Sequence, residues 1–289
     1  MAAACTSVDT GFIALGYGRS AILGVVQGIT ELLPISSTAH MRIVPALLGW
    51  PDPGAAFSAA MQLAALLAVI SYFWADVAGL AKGSVTALAR RQYGDKHLRL
   101  TLWIALATVP IIIAGLLLSP VLNACNSPLR SIPAIGVACL VMAALLGVAE
   151  LGARHARTIE GAKLSDALLV GIAQIGALIP GVSRSGSTLT AALGLGFQRE
   201  EAARFAFLLG IPAIALAGFK ELWELHKVHL SSHGWAVLGV GILVGAISAF
   251  VTIWGLMRFL ERASTWPFVA YRFALGVFLI AGASFGFLH

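Results

Sequence analysis

Uncharged apolar runs of membrane-crossing length follow one another along this chain. There are 23 residues without charge between Asp52 and Asp76, 30 between Arg99 and Arg130, and 24 from Gly234 to Met257. A bilayer core takes about 20 helical residues, at about 1.5 Å of rise each. Only 11% of the residues are charged, against about 25% in an average soluble domain, and the mean hydropathy is +0.90. That is too little charge to cover a water-facing surface, which excludes most soluble enzymes as well as disordered, collagenous and disulfide-scaffold chains. The reading is an all-α polytopic membrane protein, with residues 1–289 forming a single integral membrane domain. Six spans are expected near 53–75, 100–120, 131–149, 201–219, 234–257 and 266–288. The net charge of +6 reads as basic cytoplasmic loops rather than a nucleic-acid site. Cys5, Cys125 and Cys139 have no metal-ligand spacing, and a Cys5–Cys125 disulfide would need both to face an oxidising compartment. The opening MAAACTSVDT lacks the basic n-region of a signal peptide.

Two apolar stretches, 20–49 and 165–198, are interrupted by polar residues. The first holds Glu31, Pro34, Ser36, Ser37, Thr38, His40 and Arg42. The second holds Pro180, Gly181, Ser183, Arg184, Ser185, Gly186, Ser187 and Thr188. Helix, proline break, helix fits each: a re-entrant hairpin, whose irregular backbone is tolerated at membrane depth only inside protein or beside a wet cavity. Gly24-Val-Val-Gln27 is echoed by Gly171-Ile-Ala-Gln174, and each echo opens a half followed by three spans. The expectation is an inverted-topology repeat with pseudo-repeat halves of about 1–149 and 150–289. Lys and Arg set the orientation. Placing 76–99, 150–164, 199–204 and 258–264 in the cytoplasm puts twelve basic residues there and five on the other side. Arg184 and Arg272 then lie at membrane depth. Trp50, Trp74, Trp103, Trp223 and Trp266 fall near span ends, as an interfacial aromatic belt does.

Ionisable residues inside a membrane are expensive and point to function. Arg184, among Ser, Thr and Gly and close to a helix start, offers a guanidinium fork and open N–H groups suited to phosphate. Pairing with Glu31 to lock the hairpins is its structural alternative, and the two are compatible. Ser37 and His40 are three apart and share a helix face, the minimal activated nucleophile. Glu31 could orient His40, hold a divalent cation or act as a base. One of Ser36, Ser37 and Thr38 is expected to cap the second hairpin helix. Gln62 reads as an interhelical link, and Arg272 as snorkelling or paired internally.

The run Ala21-Ile-Leu-Gly-Val-Val-Gln-Gly-Ile-Thr-Glu-Leu-Leu-Pro-Ile-Ser-Ser-Thr-Ala-His40 closely resembles the undecaprenyl-pyrophosphate phosphatase family, the bacitracin-resistance type of bacterial inner membranes. So does Pro180-Gly-Val-Ser-Arg-Ser-Gly-Ser-Thr188. Met61–Val69 and Pro267-Phe-Val-Ala-Tyr-Arg-Phe273 agree more weakly. The resemblance implies hydrolysis of undecaprenyl pyrophosphate to the monophosphate, recycling the carrier for peptidoglycan. It also implies a divalent cation, magnesium or calcium, and a site facing the periplasm. The partners it implies are the lipid substrate and membrane lipids, and it is compatible with a homodimer. Glu31, Ser37, His40 and Arg184 match the family's catalytic positions. Ser36, Thr38, Ser183, Ser185 and Thr188 match its phosphate-side hydroxyls, and Gln27 is counted with them. Gln27 stands where some members carry a second glutamate, which puts a two-carboxylate metal site in doubt. The nucleophile is open between Ser37, His40 and water. The rival function is a transporter or flippase of polyprenyl phosphate lipid, which inverted repeats around a central anion site suit equally well.

Overall fold

The computed structural model describes residues 10–122, 128–286 and 288. Cys5 and Cys125, and the disulfide between them, lie outside the described residues; Cys139 is buried and free. Apart from one isolated bridge between Arg157 and Phe197, the regular structure among the described residues is helical. In chain order the helices are α1 (Gly16–Leu32), α2 (Ser37–Leu48), α3 (Gly54–Ala60), α4 (Gln62–Tyr72), α5 (Trp74–Ala89), α6 (Lys96–Leu122), α7 (Ile132–Gly152), α8 (Leu164–Ala173), α9 (Arg184–Gly194), α10 (Arg199–Lys227), α11 (Ser232–Leu260) and α12 (Trp266–Ser284).

Seven helical stretches among the described residues are long and apolar enough to cross a membrane. Six match the expected spans. The seventh, Gly11–Leu32, is a membrane-length helix where the sequence reading expects the short first arm of a re-entrant hairpin: a 3-10 turn over Gly11–Leu15 runs into α1, and Glu31 sits only in its last turn. The segment 76–99, read as a solvated loop from its charges, contains α5. Val77 and Leu80 of that helix pack against the core, an apolar spacing that the basic residues obscured. Serines start two spans: Ser131 accepts from Ala134 N at the head of α7, and Ser231 from Gly234 N at the head of α11. In α10, Glu200 and Glu201 sit in the first turn and His226 and Lys227 in the last, matching the helix dipole.

Glycines bring the backbones of the spans together. A Cβ on Gly24 would lie 2.5 Å from the Gly241 carbonyl oxygen, and one on Gly28 would lie 2.5 Å from that of Gly245. This is small-xxx-small packing of α1 on α11, which lipid-embedded helices use because apolar side chains gain nothing by leaving lipid. Gly171 of α8 approaches Ala107 of α6 as closely, and Gly136 of α7 faces Gly276 of α12. The first arm of each hairpin therefore packs on a span from the other half of the sequence.

Ion pairs tie one end together. Arg204 pairs with Asp76 and Glu201; Arg199 and Thr265 both donate to Glu150; Arg157 pairs with Asp166, and Lys96 with Glu160. These are the segments that the Lys and Arg count grouped on one side. At the opposite end Tyr17 meets His233 at 3.1 Å and Arg19 lies over the Trp50 ring.

Candidate active site

The site forms where two helices break. After α1 the chain extends at Leu33 (ψ 145) and passes Pro34, which has no N–H to give. It then turns at Ser36, held at φ 75. Ser36 Oγ accepts from Ala39 N and opens α2. The second break is built alike. Ile179 is extended, Gly181 has φ 96 and Ser183 φ 71, and Ser183 Oγ accepts from Gly186 N to open α9. Only glycine fits at 181, where the left-handed backbone runs 2.7 Å, measured from an added Cβ, from the Ile135 carbonyl oxygen.

Such breaks strand carbonyls at membrane depth, where each must find a donor. Arg272, 0% exposed, supplies three hydrogen bonds. Its Nη1 donates to Pro34 O at 3.0 Å, and its Nη2 to Gly181 O at 2.8 Å and Val182 O at 3.0 Å. Ser185 Oγ lies 3.0 Å from Glu31 O and 3.1 Å from Leu33 O. Both hairpin tips are thus fastened to each other, and Arg272 is paired internally.

Between the tips lies the reactive set. Glu31, 6% exposed, accepts from Ser37 Oγ at 2.5 Å and Gln27 Nε2 at 3.0 Å through Oε2, and from Arg184 Nη2 at 3.3 Å through Oε1. The Glu31–Arg184 pair read from the sequence is present, and it joins the hairpins. Arg184 Nε and Nη1 are buried with no partner among the described residues. The guanidinium lies against Gly210 of α10, where any Cβ would collide with Nη1.

His40 is placed differently from the expected pairing with Ser37. Its Nδ1 lies 2.7 Å from Ser36 O, an atom that only accepts, so Nδ1 carries the proton. Nε2 lies 2.7 Å from the Tyr271 hydroxyl, with the two rings stacked at 5.7 Å. Both nitrogens are engaged, and the group touching the Ser37 hydroxyl is Glu31. Ser36 and Ser183 are helix caps. Ser185 bridges the tips, and the fully buried Thr188 returns its hydroxyl to Arg184 O at 2.8 Å. Thr38 is exposed beside Ser37.

Two cavities meet at Ser37, Thr38, Gln62 and Leu178. The inner one, about 140 Å³, holds Glu31, Ser183 and Arg184 and has an apolar wall of Ile111, Ala213, Ile214 and Ala217. The outer one, about 240 Å³, is lined by Gln27, Arg42, Asp52 and Arg130. The sequence reading had placed Arg42 and Arg130 among outer-side charges and Gln62 as a link between helices. Tyr271 and Arg272 had one visible signal, the cost of an arginine inside a span. Gly210 had none, being one more small residue in an apolar run.

Glu31 is the one carboxylate shared by the inner cavity's donors. Among the described residues no group of three His, Cys, Asp or Glu could hold a metal. This donor set fits a cation carried chiefly by phosphate oxygens and water, with Glu31 as its protein ligand, a common arrangement for magnesium.

Comparisons with known proteins identify the family of this chain. Residues 20–278, which include both breaks, Gly210 and the Tyr271-Arg272 pair, match the family described as bacitracin resistance protein BacA. The chain is 73% identical over 263 residues to undecaprenyl-diphosphatase 2 of Mesorhizobium japonicum, covering 91% of this chain and 100% of that protein. It is 47% identical over 284 residues to the undecaprenyl-diphosphatase of Trichormus variabilis, covering 98% and 89%. With that of Gloeobacter violaceus it shares 48% over 274 residues, covering 95% and 94%. The family match spans most of the chain, and this multi-pass membrane protein belongs to the bacitracin resistance protein BacA family.

Proposed function

We propose that this protein hydrolyses undecaprenyl pyrophosphate to undecaprenyl phosphate and inorganic phosphate, which returns the lipid carrier to cell-wall synthesis. The names of the relatives support the substrate. The observation that carries the chemistry is the 2.5 Å hydrogen bond from Ser37 to Glu31, made beside Arg184. A hydroxyl donating to a carboxylate is a nucleophile with its base attached. A binding site for transport needs neither.

In this mechanism the terminal phosphate lies at Arg184, whose unpartnered Nε and Nη1 donate to its oxygens. Glu31 takes the Ser37 proton as Oγ attacks the terminal phosphorus. The Oγ–P bond forms and the anhydride P–O bond breaks, so the bridging oxygen leaves with the lipid phosphate. Water then cleaves the phosphoserine, releasing inorganic phosphate and restoring Ser37. Arg184 stabilises the phosphoryl charge throughout, the main source of rate in phosphoryl transfer. His40, fixed by Ser36 O and Tyr271, holds the start of α2 and hence Ser37. A magnesium or calcium ion on the phosphates, with Glu31 as ligand, would neutralise charge there. The apolar wall of the inner cavity suits the lipid tail, and the polar outer cavity suits water.

On this reading the protein works in the bacterial inner membrane with its site open to the periplasm. Support comes from the outer cavity, whose Asp52 and Arg130 lie away from the end where basic loops gather.

The test is phosphate release from undecaprenyl pyrophosphate by detergent-purified protein, where transport is impossible. Wild type releases phosphate, and Ser37→Ala loses about 10³-fold or more. A fully active Ser37→Ala protein would put water or His40 in place of Ser37. Absence of release by wild type, with magnesium and with calcium, would favour the flippase reading.

A further inference from the structure

Arg42 in α2 and Arg130, at the end of the 3-10 turn Pro128–Arg130, line the outer cavity with Ser37 and Thr38. Both arginines are half-buried. Neither has a hydrogen bond or ion pair among the described residues, and both are absent from the internal ion-pair network that holds most of the other buried arginines. The acid in this cavity, Asp52, is turned to its own turn, accepting from Gly54 N at 2.9 Å. The outer cavity thus carries a net positive charge from two unpaired guanidinium groups.

The inner site does not. Glu31 and Arg184 cancel, yet one phosphate monoester brings about −1.5 to −2 near neutral pH and a diphosphate brings more. Such an anion needs further cationic partners when it is withdrawn from water. Arginine forks match tetrahedral phosphate oxygens in charge and in planar donor geometry. The apolar wall beside Arg184 also leaves the outer cavity as the polar way out.

We infer that Arg42 and Arg130 form a second phosphate subsite in the outer cavity, next to but separate from the reacting position at Ser37. The ligand is a phosphate dianion. It is inorganic phosphate on its way out, because the second phosphate of the diphosphate carries a single charge and stays with the lipid tail along the apolar inner wall. The choice of phosphate rests on the phosphatase reading, whereas the binding test below requires no turnover.

The experiment titrates inorganic phosphate and inorganic pyrophosphate into detergent-purified wild type, Arg42→Gln, Arg130→Gln, the double Gln variant and the double Lys variant, with binding read by calorimetry. KM and inhibition by inorganic phosphate are measured in parallel. The double Gln variant is expected to bind at least about tenfold more weakly, with partial recovery in the double Lys variant, which controls for folding. If pyrophosphate affinity and KM move while phosphate affinity does not, the cavity holds substrate and the product subsite is overturned. If phosphate affinity and product inhibition move, it holds the departing product. Unchanged affinities in the double Gln variant, or no binding of either anion by wild type, would overturn the subsite. A wild type that binds both anions through these arginines without releasing phosphate from the lipid would overturn the phosphatase reading alone.

Discussion

At the scale of single residues, the site depends on one group that has no side chain. Gly210 leaves the space that the Arg184 guanidinium occupies. Adding one methyl forces Arg184 off its position, while the rest of α10 keeps its packing at a cost of about 1–3 kcal/mol. Gly210→Ala is therefore expected to lower kcat by about 10²–10³, the usual effect of losing one preorganised donor. Thermal unfolding in detergent should show a protein that still folds, and a wild-type kcat would show that Arg184 is not the phosphate donor. Arg184, Glu31 and Ser37 were legible in the sequence because a membrane makes polar groups conspicuous. Gly210 was not, because its role is a clearance, set by a residue of another helix.

Among elements, the two helix breaks were legible and their fastening was not. Proline followed by serines inside an apolar run announces a break, but the donors that satisfy the freed carbonyls come from Ser185 of α9 and, for the most part, from α12. Arg272 reaches Pro34, Gly181 and Val182 at once, contacts that join parts of the chain far apart in sequence. Lysine keeps the charge but not the fork. In Arg272→Lys at least one carbonyl is left unpaired, at about 1–3 kcal/mol each. The expected outcome is a lower Tm in detergent together with loss of most phosphate release. Full activity at an unchanged Tm would mean the tips hold their shape unaided. Local sequence also misassigned His40. Its spacing from Ser37 was right for a shared face, but a backbone carbonyl and Tyr271 claim its two nitrogens.

Taking the molecule entire, sidedness follows from where the basic segments meet. The structure joins residues of 76–99, 150–164 and 199–204 by ion pairs between the segments, which the Lys and Arg count groups on one side. In a variant freed of Cys5, Cys125 and Cys139, a cysteine at Gln92 should resist a membrane-impermeant thiol reagent in intact cells and react once they are opened. One at His229 should react in both. The opposite pattern would invert the orientation and turn the outer cavity toward the cytoplasm.

The two cavities that join at Ser37 differ in their lining, apolar on one wall of the inner and charged in the outer. Ala217 of the inner wall is exposed on the flank of α10 and Ile111 is half-buried on α6, so a lipid can arrive by lateral diffusion while phosphate and water move through the polar side. Encounter is then two-dimensional. The rate should follow the mole fraction of substrate in the micelle or bilayer surface, falling by surface dilution when inert detergent is added at fixed total substrate. It also gives the enzyme separate doorways, so that a polyprenyl analogue and a small hydrophilic anion would obstruct it from different solvents.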